Sequence, residues 1–226
     1  MTKQTKRTNQ IIRLVMMALF TALAYATMFV INIKVSFLTF DAKDAVLTIG
    51  GLLFGPIAAA AMSFAVALIE MVTVSTTGIY GFVMNFLSSA AFAVTAAWIY
   101  KYKRDMIGAT LGLGSAILTM TAAMMGFNLL VTPAYLHVDT SVVLGMIPTL
   151  LLPFNLLKAI ANAAIVLVLY HPVSKAMKRI FGVDAEPTEK KNHWLQLTCI
   201  VIGVLMLAVA VTMMILLMNG SFSWGK

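Results

Sequence analysis

The sequence predicts an all-α integral membrane protein: a six-helix bundle followed by an additional C-terminal transmembrane helix. The chain of 226 residues is 61% hydrophobic and 11% charged, against about 45–50% and about 25% in soluble domains. Apolar stretches near twenty residues recur along it, the length needed to cross a hydrocarbon core of about 30 Å. Twelve of the sixteen Lys and Arg fall in three clusters, at 3–13, 101–104 and 175–191. The positive-inside rule gathers such clusters in the cytoplasm. The net charge of +8 is therefore assigned to orientation and anionic headgroups rather than to nucleic acid. Residues 1–180 are expected to form the bundle, 181–193 a cytoplasmic linker, and 194–226 the additional helix with a short tail.

The start, MTKQTKRTNQIIRLVMMALF, is basic and then apolar. No A-x-A site interrupts the apolar run, so it is read as a retained first helix leaving a cytoplasmic N-terminus. Helices at about 78–100 and 107–131 flank KYKRD, which places that loop in the cytoplasm. Segment 44–72, DAVLTIGGLLFGPIAAAAMSFAVALIEMV, must then hold two helices, because a single one would put residues 101–104 outside. Gly50, Gly51, Gly55 and Pro56 supply the break. The first piece, about 11 residues at about 1.5 Å each, is too short to span alone. Backbone at that depth is tolerated only where protein covers it or it lines a cavity. A pocket is thus expected in the outer half of the membrane, beside residues 31–44. Residues 132–147 contain no Lys or Arg and fall outside. The sixth helix runs inward to about Tyr170, ends at His171-Pro172, and is followed by the linker GVDAEPTEKKNHW and a seventh span at 195–218.

Polar residues set into these helices need a reason, because lipid leaves them unsatisfied. Asn155, Lys158 and Asn162 are spaced i, i+3, i+7 and share one helix face. Asn128, Asn85 and Glu70 fall near the outer ends of their own helices. Each has a plain explanation. Lys158 lies only about 7.5 Å of helix beyond Pro153, close enough to snorkel outward. Asn85 and Asn128 can bond between helices, and Glu70 can pair with Lys34 or Lys43. Their convergence on one side points instead to a site for a neutral, hydrogen-bonding small molecule. Ala18, Ala22 and Ala26 form a small-residue stripe that allows close helix approach, within the bundle or to another membrane protein.

Catalytic patterns are missing. The three histidines have no metal-ligand spacing, and neither G-x-S-x-G nor G-x-x-x-x-G-K-[ST] occurs. The reading is a binding protein rather than an enzyme, with any ATP hydrolysed by partners. Cys199 stands alone, which excludes disulfides, and the 17 methionines show no metal-binding pattern.

The segments FLTFDAKDAVLTIGGLLFGP, LIEMVTVSTTGIYGFVMNFLSSAAF, MTAAMMGFNLLVTPAY and LPFNLLKAIANA resemble the riboflavin-binding substrate-specificity subunits (S components) of energy-coupling factor (ECF) transporters, the RibU type. The resemblance covers residues from about 10 to 180 and implies a six-helix, multi-pass subunit of the cell membrane. Such a subunit captures riboflavin near the extracellular face and delivers it inward when docked on an ATP-driven module. The implied partners are a transmembrane coupling protein and two ABC-type ATPases. No cofactor is implied beyond riboflavin as the transported ligand. By the same resemblance Asn155 and Lys158 bond the flavin ring, with Asn128 nearby. Leu38, Phe40 and Asp44 belong to the capping loop and the start of helix two, Glu70 and Asn85 complete the wall, and Ala18, Ala22 and Ala26 dock the coupling protein. Three departures stand out: Ala42 where a proline is common, Ile160 where glycine is usual, and the seventh span, which lies outside the six-helix pattern. Other readings are the same scaffold serving another vitamin such as thiamine, an intramembrane enzyme, or a purely structural membrane protein. A cationic ligand such as thiamine should demand more buried carboxylate than Glu70.

Overall fold

The computed structural model describes residues 3–181 and 193–217; the rest of the linker and the tail lie outside the described residues. The chain runs from helix α1 (Lys3–Val30) into a hairpin of β1 (Asn32–Val35) and β2 (Leu38–Asp41), then α2 (Lys43–Phe54) and α3 (Pro56–Thr73). It continues through α4 (Gly78–Tyr102), α5 (Met106–Leu136), the short α6 (Thr140–Met146), a π-helical turn (Ile147–Leu151), α7 (Leu152–Phe181) and α8 (His193–Leu217). Among the described residues, five spans are long and apolar enough to cross a membrane: Gln10–Val30, Pro56–Thr73, Gly78–Tyr102, Met106–Leu136 and Thr140–Val173. The stretch Leu197–Met213 is apolar and shorter.

Helix α2 is the enclosed centre. Of its 12 residues only Leu53 is not buried, and the buried set includes Lys43, Asp44 and Thr48. It packs against α1, α3, α4 and α7. The expected break falls at Gly55 alone, where φ is 96° and Pro56 starts the next helix. That φ is comfortable only for glycine, and proline suits the first helical position because its missing N–H would be unpaired there. Gly50 and Gly51 do not break the helix. They let it be surrounded: a Cβ at Gly51 would stand 2.8 Å from Ala59 Cβ and 3.3 Å from Ala97 Cβ.

Contacts fix the two ends of the bundle. Arg13 donates to the Phe54 carbonyl at the end of α2, and Gly51 lies level with Ala97 near the end of α4. The Tyr100 and Tyr170 hydroxyls bond each other. Residues 101–104 and Lys175 follow those tyrosines directly, so the described members of the three basic clusters gather at one end. The hairpin and the start of α2 occupy the other.

Two stretches differ from expectation. Residues 132–147 are mostly helical: α5 continues through Pro133 to Leu136 and stops at His137, whose φ of 55° is left-handed. The π-helical turn then feeds α7. Helix α7 also passes through Pro172 to Phe181 instead of ending at His171. Pro172 is exposed, so the carbonyl freed by its missing N–H can be met from outside the bundle, and the turn survives.

Candidate ligand-binding site

The hairpin end of the bundle holds a cavity of about 240 Å³, near the lower limit of about 300 Å³ for small-molecule sites. Its walls come from the hairpin, the ends of α1, α3, α4 and α5, and the start of α7. Its rim carries the exposed Lys34, Val74, Thr76 and Tyr80. Phe37, at the hairpin tip, lies 6.5 Å from Tyr135, and Tyr80 lies 6.0 Å from the same ring, centroid to centroid. The tip is a two-residue turn in which Ser36 takes a left-handed φ of 57° and Val35 pairs with Leu38.

Deeper, the polar groups are buried. The Lys158 side chain is 5% exposed and does not snorkel. Its ammonium lies 3.4 Å from Asp41 Oδ2 and 3.6 Å from Asp44 Oδ2, and donates to the Thr39 carbonyl at 3.5 Å. Lys43 pairs with Glu70 at 2.7 Å and lies 3.6 Å from Asp41. Asn85 donates to the other Glu70 oxygen at 2.7 Å, and Ser89 donates to Asp44. Each carboxylate therefore faces at least one ammonium, the condition under which charges survive away from water. Burial alone would raise the Asp41 carboxyl, but the ammoniums of Lys158 and Lys43 outweigh it and hold it below its ordinary 3.8.

Helix α7 organises this network. Asn162, one turn below Lys158, accepts from the Ala45 N–H at 3.0 Å and donates to the Asp41 carbonyl at 3.3 Å. It thereby satisfies a first-turn N–H of α2 that no helical partner reaches. Asn155 donates to the Leu151 carbonyl in the π-helical turn at 2.8 Å, leaving its oxygen and a second N–H for a ligand. Asn128 donates to the Met124 carbonyl at 2.7 Å and accepts from Thr132 at 2.9 Å, so its amide is fixed in place.

Of the residues anticipated from sequence, Leu38, Glu70, Asn85, Asn128, Asn155 and Lys158 line the cavity. Phe40 and Asp44 lie elsewhere. Phe40 points behind the hairpin into an apolar cluster with Phe154, and Asp44, fully buried, backs Lys158. Of the two partners offered for Glu70, the structure takes Lys43. Sequence reasoning missed Asp41 and the rim aromatics Phe37, Tyr80 and Tyr135. The alternation of charge in FDAKD, between apolar stretches, was the available signal for Asp41.

The profile described as "ECF transporter, substrate-specific component" matches residues 12–170, well over half of the chain. The chain belongs to that family. A curated relative, the riboflavin transporter RibU of Staphylococcus aureus (strain TCH60), is 28% identical over 177 residues, covering 74% of this chain and 93% of the relative. A solved structure, described as the S component of a bacterial ECF transporter, is similar with a TM-score of 0.64 and 28% identity, over 75% of this chain and 99% of that one. As an S component the protein is a multi-pass, substrate-binding transporter subunit, not an enzyme, and it works in association with an ECF module. Ala18, Ala22 and Ala26 are all exposed, while Met16, Phe20, Ala24 and Met28 bury the other face of α1.

Proposed function

We propose that this S component binds riboflavin in the cavity beneath the hairpin and hands it inward on an ATP-driven coupling module. The observation that carries the reading is the pairing state of the wall. Glu70 and Asp41, the lining carboxylates, already face Lys43 and Lys158, so neither stands unpaired in the cavity wall for a cationic vitamin. What remains are amide edges and ammonium donors, suited to the carbonyls and imide of a flat, neutral ring. Asn155 and Lys158 bond that ring, Asn85 and Asn128 present further amide edges, and Phe154 with Leu38 covers an apolar side. The similarity to RibU supports the same ligand. In this reading the N-terminus and the three basic clusters are cytoplasmic, the cavity faces outward, and the stripe at Ala18, Ala22 and Ala26 docks the transmembrane coupling protein that carries two ABC-type ATPases.

The test is direct. Protein purified from riboflavin-containing culture should be yellow, and riboflavin titrated into stripped protein should lose its fluorescence, with excess thiamine unable to compete. A colourless protein that leaves riboflavin fluorescence unchanged would reject riboflavin as the ligand.

A further inference from the structure

The family match ends at residue 170 and α8 begins at His193, so transport as proposed above leaves this helix without a role. Its inward stripe is small. At Gly203 a Cβ would stand 3.0 Å from Val168 Cγ2 and 3.1 Å from the Ala164 carbonyl oxygen, so α8 lies tightly on α7, as small residues permit in lipid. Further along, Leu207 and the buried Ala210 enter an apolar cluster separate from the main core. That cluster also contains Ile33, Val35 and Phe40 of the hairpin and Phe154 of α7. It forms the back of the cavity wall, for Phe154 lines the cavity and so does Leu38, which packs against the cluster.

The hairpin is two strands of four residues, and a lone two-stranded hairpin is marginal at best. On its inner side Lys158 and Asn162 hold the Thr39 and Asp41 carbonyls. On its other side the apolar cluster runs on to α8. We propose that Leu207 and Ala210 are positioning residues. Acting through Phe154 and Phe40, they hold the hairpin closed over the cavity and so set how fast the bound ligand leaves. A contact present only in the closed state biases the closed–open equilibrium by its own differential stability. Losing it raises dissociation without slowing entry. The release arm rests on riboflavin being the ligand; the hairpin arm does not.

The full chain is compared as wild type, Leu207→Ala, Leu207→Ile, and Val204→Ala on the exposed face of α8. In the ligand-free protein, amide hydrogen exchange over residues 33–41 should quicken in Leu207→Ala alone, with α1 and α3 unchanged. Riboflavin dissociation should quicken about tenfold, equivalent to about 1.4 kcal/mol, at an unaltered association rate. Leu207→Ile should behave as wild type. Exchange that is unchanged over 33–41, or that rises evenly through the bundle, overturns the proposal, as does an unchanged dissociation rate. If wild type fails to bind riboflavin, the ligand assignment falls and the exchange arm alone decides.

Discussion

Lys158 and Asn155 sit three residues apart on one helix, yet the structure gives them different duties. Lys158 pairs with Asp41 and Asp44 as well as facing the cavity. Lys158→Ala should therefore cost stability as well as affinity, by about 3–5 kcal/mol for a broken buried pair, read as a lowered unfolding temperature in detergent. Among the described residues Asn155 bonds only the Leu151 carbonyl. Asn155→Ala should weaken riboflavin binding about tenfold, within the roughly 1–3 kcal/mol typical of a lost hydrogen bond, with little change in unfolding temperature. Unaltered affinity in both variants would reject the site. The Asp41 carboxyl is held low in the folded protein, so its contribution is complete above its ordinary 3.8 and is lost as pH falls through its lower folded value. Riboflavin affinity should thus stay flat from about pH 8 to about pH 5; a loss centred near neutrality would contradict the pairing. The polar face of α7 was legible in the sequence because helical spacing alone brings Asn155, Lys158 and Asn162 together. The Asp41–Lys158 pair was not, since it joins positions 117 apart in sequence and depends on where the hairpin folds.

Among the elements, α2 followed from charge parity and length: a segment that must turn back within 44–72 can only do so as a short, covered helix. What spacing did not separate was the work of its glycines. Gly55 makes the break and Gly51 the close packing. Gly51→Val should force α2 away from Ala59 and Ala97 and lower the unfolding temperature sharply, by the roughly 1–3 kcal/mol of an overpacked core or more. At Gly114 an added methyl would meet nothing within 4 Å, so alanine should be accepted there without penalty. The helical character of 132–147 was not legible, because a short stretch without Lys or Arg between two spans reads as loop. The π-helical turn that follows, Ile147–Leu151, matters to the site, since its Leu151 carbonyl orients Asn155.

Across the whole molecule, the face of α1 that bears the stripe and the face of α7 that bears α8 are distinct, as α1 packs against α2 and α3 while α8 packs against α7. The seventh span therefore leaves the proposed docking surface open. Ala22→Trp should abolish riboflavin uptake by cells while purified protein still quenches flavin fluorescence. Loss of both would indicate misfolding rather than blocked docking.

The enclosure of α2 also dictates an order of assembly during synthesis. At 12 residues, with Lys43 and Asp44 in its first turn, it offers the translocon no segment that partitions into lipid by itself. The Ala45 N–H in its first turn is met by Asn162, which leaves the ribosome more than a hundred residues later. Nascent chains stalled before residue 162 should therefore keep the region around residues 36–45 open to added protease, and chains stalled well beyond it should not.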